Sequence, residues 1–270
     1  MVQVLSSRRR REEIVRLAET RGLAEVGEMA ERFAVSPSTI RRDLARLESA
    51  GKLARTYGGA MVAQSHTEPS LQQRIGEAFS EKLAIATWAA EQIQPGESIA
   101  LDAGSTTAAL AHRLRSRSGV TVTTASLTVL GELTGAEGVT LHCLGGTLRP
   151  LSQALVGPIA EIALSRMSFD RVFLGADSVD AERGICEADL SQSQLKELLA
   201  ARSDHVYVLA HAAKLGRRPF HAWTRFAPGW TLVTTGTGEL VEPFLEQGIQ
   251  VITVPGPERA EAPERGVGNW

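Results

Sequence analysis

The stretch VSPSTIRRDL, Val35 to Leu44, decides how the first part of the chain folds. Ser36 is a hydroxyl residue of the kind that caps a helix, Pro37 suits a first helical turn, and Ile40, Leu44 and Leu47 recur as an inward stripe. The helix ends near Ala50-Gly51. At 100° per residue, with Ile40 inward, Ser38, Arg42, Ala45 and Ser49 fall within about 40° of the opposite direction, and Arg41 and Arg46 flank them. The outward side is therefore small, hydroxylated and cationic. Small residues allow close approach in a major groove, hydroxyls and arginines read base edges, and positive charge meets phosphates. Asp43 lies toward the inner flank, placed to hold an arginine rather than to approach DNA.

Working outward, Ile14, Leu17 and Ala18 share one helix face, and Val26, Met29, Ala30 and Phe33 share another after a break at Arg21-Gly22. Two short helices thus precede the cationic one. The cluster Arg8 to Arg11 reads on its own as a solvated helix end. Downstream, KLARTYGGA (Lys52 to Ala60) alternates apolar with cationic or polar side chains and reads as a hairpin, or wing, laying Lys52 and Arg55 along a DNA backbone. The nucleic-acid candidates are Ser36, Ser38, Thr39, Arg41, Arg42, Arg46, Lys52 and Arg55.

The charge distribution supports that partner. Residues 1–60 carry 12 Lys and Arg against 8 Asp and Glu, whereas residues 61–270 carry 17 against 23, although the whole chain nets only −2. A cationic first segment on an acidic remainder suits an anionic partner. At 270 residues, with 43% hydrophobic and 22% charged side chains, the chain is long enough for two domains with cores of their own. No apolar run approaches the ~18 residues of a membrane span, so the expectation is a soluble cytoplasmic protein without a membrane partner. Cys143 and Cys186 form no disulfide framework, and His66, His112, His142, His205 and His221 have no metal-ligand spacing. Neither a metal nor a cofactor is expected.

Residues 61–80 are polar, carry Pro69, and read as a linker. From residue 81 to 255 helical stretches (Lys82–Ile93, Thr106 to about Leu114) alternate with short apolar strands at Ser98–Leu101, Val120–Thr124, Thr140–Leu144, Arg171–Gly175, His205–Ala210, Leu232–Thr235 and Val251–Val254. That alternation predicts an α/β domain with a largely parallel sheet covered on both faces, whose ligands bind where strands end and helices begin. DAGSTT, Asp102 to Thr107, falls at such a place. Gly104 permits backbone approach, and Ser105, Thr106 and Thr107 open a helix whose N–H groups and dipole suit a phosphate, although a Ser/Thr helix start is equally an ordinary cap. It is not a P-loop, since no GxxxxGK[ST] is present. The Gly145-Gly146 turn with Arg149, and Asp177 ending FLGAD, are further polar signals. Lys196 and Lys214 add positive charge or are simply solvated. Residues 256–270 read as a frayed tail.

VSPSTIRRDL followed by LESAGKLARTYGGA resembles the winged helix-turn-helix of the DeoR family of bacterial transcription regulators, over residues 8–60. EPSLQQR, Glu68 to Arg74, is similar to that family's connecting segment. The order of signals over about 81–255 resembles its effector-binding domain, itself similar in fold to ribose-5-phosphate isomerase. The resemblance implies a repressor of carbohydrate-metabolism genes controlled by a sugar phosphate, with phosphate at Gly104–Thr107 and hydroxyls near Asp102 and Asp177. Three positions depart from the family pattern. Thr124-Ala125-Ser126 replaces Thr-Asn-Ser, Gly184-Ile185-Cys186 replaces Gly-Leu-Thr, and His211-Ala212-Ala213-Lys214 replaces Asp-x-Ser-Lys. With Ser126, Cys186 and His211 counted as effector candidates, changed hydrogen-bond capacity implies an atypical effector.

An enzyme is the competing reading, because Asp102 and Asp177 could pair as acid and base in an isomerisation. The isomerases also carry a Lys-Gly-Gly-Gly loop followed by a Glu base, which this chain lacks, so no catalysis is expected. An architectural DNA-binding protein with an inert ligand domain is the other alternative. A single module binds DNA with limited specificity, so a homo-oligomer is expected, its recognition helices meeting half-sites ~34–36 Å apart.

Overall fold

The computed structural model describes residues 6–21, 23–49, 53–56, 59–62 and 68–256. These form two compact units, divided between Glu68 and Pro69. No helix among the described residues is long and apolar enough to cross a membrane.

In the first unit α1 (Ser7–Arg21), β1 (Leu23–Glu25), α2 (Val26–Arg32) and α3 (Pro37–Ser49) are followed by β2 (Leu53–Thr56) and β3 (Gly59–Val62). Helix α3 begins where a cap allows it, since Ser36 Oγ accepts the Thr39 N–H at 3.3 Å. Its inward stripe, Ile40, Leu44 and Leu47, packs with Ile14, Met29, Ala30 and Phe33 into one small core. Each such side chain contributes about 1.5–3 kcal/mol by leaving water. Leu17 and Ala18, read as part of that core, have side chains outside the described set. The expected wing is an antiparallel hairpin in which Leu53 faces Val62 and Thr56 faces Gly59. A third strand, β1, pairs with β3 and gives the order β1-β3-β2. Three residues are too short for a period-2 pattern, so periodicity alone does not reveal β1.

The second unit opens with α4 (Leu71–Gly76), inside the stretch read as a linker, and α5 (Phe79–Gln92), the helix expected over Lys82–Ile93. Helix α4 carries a capping box, with the Gln73 N–H donating to Ser70 Oγ at 3.4 Å and the Ser70 N–H to Gln73 Oε1 at 2.8 Å. There follow β4 (Ser98–Leu101), α6 (Ser105–Leu114), β5 (Val120–Thr124), α7 (Leu127–Leu133), β6 (Val139–Cys143), the hairpin β7 (Thr147–Arg149) and β8 (Ala154–Val156), and α8 (Pro158–Leu164). The chain continues through β9 (Phe169–Leu174), β10 (Ser178–Asp180), β11 (Gly184–Glu187), α9 (Leu190–Ala201), β12 (Ser203–Leu209), β13 (Ala222–Thr224), β14 (Thr231–Thr234), α10 (Glu242–Glu246) and β15 (Gln250–Thr253).

Seven strands form one sheet in the order β15-β14-β12-β9-β4-β5-β6, and every pairing in it is parallel. Alternate residues of a strand point to opposite faces. Ile99 and Leu101 accordingly enter one core, with Ile85, Leu110 and Val129, while Ala100 enters the other, with Val172, Leu195 and Leu199. The strands are thus buried on both sides, which is why they read as plain apolar runs.

This strand order places the site. From β4 the chain moves outward through β5 and β6, then returns to the other side of β4 with β9. Between the carboxyl ends of β4 and β9 the helices depart in opposite directions, leaving the crevice in which open α/β sheets bind ligands.

Candidate functional site

On the first unit, α3 turns a consistent face to solvent. Ser38, Arg41, Arg42, Ala45 and Arg46 are exposed, while Ile40, Asp43, Leu44 and Leu47 are buried. At its N-terminus Ser36 Oγ lies 2.7 Å from Ser38 Oγ and 3.0 Å from Thr39 Oγ1, which gathers three hydroxyls beside the arginines. Lys52 lies outside the described residues, and Arg55 is described only through its backbone in β2.

Asp43 does not belong to that face. It is 3% exposed and accepts Arg10 Nε at 2.7 Å and Arg11 Nη1 at 3.3 Å. The arginine cluster of α1 is therefore divided. Arg8 is exposed and pairs with Glu12 one turn on, whereas Arg10 and Arg11 tie α1 to α3.

In the second unit the crevice between β4 and β9 is a narrow cleft lined by Arg74, Ala103, Gly104, Ser105, Thr106, Gly175, Ala176, Glu187, Lys196 and Lys214. Six elements or their loops contribute, so residues more than a hundred positions apart meet. Gly104 is the N-cap of α6 and supplies no side chain, which leaves the first helical N–H groups facing the cleft. Ser105 and Thr106 line it as well.

The charges are unevenly matched. Lys196, 1% exposed, donates to Asp102 Oδ2 and to the Gly175 carbonyl, both at 2.7 Å, and lies 2.7 Å from Glu187 Oε1. The last contact is an ion pair in which Glu187 shares the ammonium with Asp102 and the Gly175 carbonyl. Burial opposes the charge on Lys196, but the Asp102 and Glu187 carboxylates outweigh it and raise its pKa. Burial pushes Glu187 up to about 8 against the pull of Lys196. Arg74 Nη1 donates to Asp177 Oδ1 at 2.9 Å. Lys82 and Lys214, by contrast, end on backbone carbonyls, those of Arg74 and Ala176. Burial lowers both, Lys214 to about 8.

The expected effector residues separate into groups. Gly104, Ser105, Thr106, Lys196 and Lys214 meet at the cleft. Asp102 sits directly behind it, accepting Lys196 and the Gly175 N–H, and Asp177 is held by Arg74 and the Ala188 N–H. Thr107 is fully buried and donates to the Gly104 carbonyl, which stiffens the turn. Ser126 is fully buried and caps α7 through the Val129 N–H. Gly145, Gly146 and Arg149 do not line the cleft. Gly146 has φ +141° and a Cβ there would meet the Val156 carbonyl at 2.6 Å, so the turn from β6 into β7 requires glycine.

None of the three departing positions lines the cleft either. Ala125 is in the core, Cys186 is fully buried with its thiol donating to the Phe220 carbonyl at 3.4 Å, and His211 is buried beside Lys214 and Lys82. Burial, then those cations and Arg217, hold His211 down to about 4, so its imidazole is neutral at physiological pH. Any influence of these positions on a ligand is indirect. Sequence reasoning missed Arg74 and Glu187 as residues of the cleft. The Ser70-to-Gln73 capping box could have located the helix bearing Arg74, but nothing local marks Glu187.

Residues 10–66 match the DeoR-like helix-turn-helix domain, and residues 77–235 match the DeoR C terminal sensor domain. The chain belongs to the DeoR family. The HTH-type transcriptional regulator GlpR of Haloferax volcanii is 33% identical over 229 residues, which cover 84% of this chain and 89% of that protein. The transcriptional repressor AccR of Agrobacterium fabrum is 30% identical over 246 residues, 90% of this chain and 95% of that one. The glycerol-3-phosphate regulon repressor of Escherichia coli K12 is 31% identical over 204 residues, 76% and 81% of the two chains. Among solved structures, ribose 5-phosphate isomerase A from Methanocaldococcus jannaschii covers 50% of this chain and 53% of its own, with 20% identity and a TM-score of 0.38. Relatives with this coverage carry regulator and repressor names, and this DeoR-family chain is a transcription regulator rather than an enzyme.

Proposed function

We propose that this DeoR-family regulator represses carbohydrate-metabolism genes by laying the exposed face of α3 in the major groove of an operator, and that a phosphate-bearing sugar or related metabolite in the β4–β9 cleft changes that affinity. The observation that carries the second half is the pairing of the α6 N-terminus with Lys214, a cation whose hydrogen bond goes to a carbonyl rather than a carboxylate. Helix N–H groups, the helix dipole and an ammonium together favour an anion with several acceptor oxygens. Gly104, Ser105, Thr106 and Lys214 are the residues we assign to the phosphate.

Base readout falls to Ser38, Arg41, Arg42 and Arg46, with Lys52 and Arg55 of the wing on the phosphodiester backbone. A homo-oligomer brings two such helices to half-sites about 34–36 Å apart and lifts affinity above the 10⁻⁴–10⁻⁶ M typical of non-specific contact. The metabolite acts only through its different affinity for the DNA-bound and free arrangements.

Arg42→Ala is expected to weaken specific operator binding by about 1–3 kcal/mol and relax sequence preference, because one base-edge contact is lost. Lys52→Ala is expected to weaken binding to all sequences alike and to flatten the salt dependence. Footprinting and salt titration of both variants check this, and two variants indistinguishable from the parent chain would reject the groove assignment. Calorimetry against a panel of sugar phosphates, with Lys214→Met as the control, tests the ligand half.

A further inference from the structure

We propose that Glu187 is the specificity-determining residue of the cleft: an anionic ligand and a proton on Glu187 bind together, and the protonated carboxyl then donates to a hydroxyl or carbonyl oxygen of that ligand. This rests on reading the cleft as an anion site.

The geometry singles out Glu187 by elimination. Asp102 and Asp177, the carboxylates expected to read hydroxyls, do not line the cleft. Asp102 Oδ2 accepts Lys196 and the Gly175 N–H, and the two oxygens of Asp177 accept Arg74 and the Ala188 N–H. Glu187 does line the cleft, and is itself only 3% exposed. Glu187 Oε1 lies 2.7 Å from the Lys196 ammonium, which it shares with Asp102 and the Gly175 carbonyl. A buried carboxyl whose one cation is shared gains from a further hydrogen-bond partner, which a ligand group reaching it supplies.

Charge supplies the coupling. An anion seated on the α6 N-terminus and Lys214 shares one narrow cleft with Glu187. Two negative charges in so small a buried space favour protonation of one of them. The groups facing Glu187 are Lys196 from α9, Asp102 at the end of β4, Asp177 after β9, Lys214 of the turn after β12, and Arg74 of α4 across the cleft. Burial, with Asp177 and Asp102 adding to it and Lys196 opposing, already places this carboxyl near 8, so a bound anion draws a proton onto it at and above about pH 8, where the unliganded group is still ionised. The proton is drawn from solvent.

The test uses the full-length chain and sulfate, which does not titrate near neutrality. Sulfate binding is measured by calorimetry at pH 8.5 in two buffers of different ionisation enthalpy, for the parent chain and Glu187→Gln. The expected result is an uptake of roughly half a proton or more per sulfate in the parent chain, reduced by that amount in the Gln variant. Above pH 8 the parent affinity should fall with pH more steeply than that of the variant, by up to about tenfold per unit. Lys214 also takes up a proton on anion binding, so an infrared difference spectrum of the parent chain on sulfate addition is the second readout. It shows a new protonated-carboxyl band if the inference holds, and it stands even if Glu187→Gln misfolds. Unchanged uptake in the variant, or no new carboxyl band, overturns the role of Glu187 and leaves the anion site intact. Absence of sulfate binding to the parent chain overturns the anion site and this inference with it.

Discussion

Asp43→Ala is expected to unfold the N-terminal unit and abolish operator binding, although Asp43 is placed away from the exposed side of α3 that we assign to DNA. The carboxylate is 3% exposed and joins Arg10 and Arg11 of α1 to α3 at 2.7 and 3.3 Å. Taking away one partner of a buried ion pair costs about 3–5 kcal/mol, because the remaining charge has lost both water and its counter-ion. A unit of this size holds only about 3–9 kcal/mol of stability in all. The deficit is thus comparable with the whole, and the small core around Ile40 and Leu44 cannot absorb it. Hydrogen exchange should show α3 amides losing protection while those of β4 and β9 keep theirs, and promoter retention should fall to background. A variant that kept both α3 protection and affinity would disprove the clamp. Combining Asp43→Leu with Arg10→Met separates structure from contact: apolar replacement of a buried pair is often neutral or stabilising, so the double variant should regain stability and DNA binding.

Lys196→Met is expected to destabilise the second unit by a similar ~3–5 kcal/mol. The lysine stands between two buried carboxylates, Asp102 and Glu187, each 2.7 Å away. Its loss leaves negative charge with no adjacent ammonium in a region that water does not reach. The pH dependence has a definite sign. In the parent chain the pKa of Lys196 is raised in the folded state, so its contribution is fully present below the ordinary lysine value and does not change across neutral pH. In the variant the remaining charge is carboxylate, so the deficit is largest at high pH and shrinks as acid neutralises Glu187. Glu187 itself has a folded pKa raised to about 8, so its contribution is fully present below the ordinary carboxylate range and is lost as pH rises toward 8. Urea unfolding of both chains at pH 5.5 and 8.5 checks this. A gap between parent and variant that is equal at the two values, or wider at the lower, would refute the assignment of Lys196 as their counter-ion.

Much of the architecture was legible because it rests on local rules. Ser36, Pro37 and the Ile40, Leu44, Leu47 stripe specify α3 through capping and a 3.6-residue period, and Ser98–Leu101 and Val120–Thr124 appear as strands at the expected bounds. The short elements were less visible. β1, β7, β8, β10, β11 and β13 are three or four residues each, below the length at which alternation becomes a signal. Gly184 illustrates what replaces periodicity there: at φ +85°, with a Cβ that would lie 2.1 Å from the Thr224 carbonyl, it is required by the packing of β11 on β13. Gly145 and Gly146, read as a polar signal, lead from β6 into β7, and Arg149 at the end of β7 lies 3.5 Å from Asp189.

The sequence by itself determined helix α3 with its exposed set Ser38, Arg41, Arg42 and Arg46, the parallel α/β unit, and the Gly104 to Thr106 loop that opens α6. Each depends on neighbours within a few positions, where spacing translates directly into direction. Only the tertiary structure decided that Asp43 holds Arg10 and Arg11, that Arg74 and Glu187 reach the cleft while Ser126 and Cys186 do not, and that Lys196 stands between two acids. Most of those relations join residues distant in the chain, such as Arg11 and Asp43, 32 positions apart, or Arg74 and Asp177, 103 apart, and they exist because β9 returns to pair beside β4, or because α1 folds back on α3. Burial then sets the charge state of each group, and burial is a property of the assembled fold rather than of any stretch of chain.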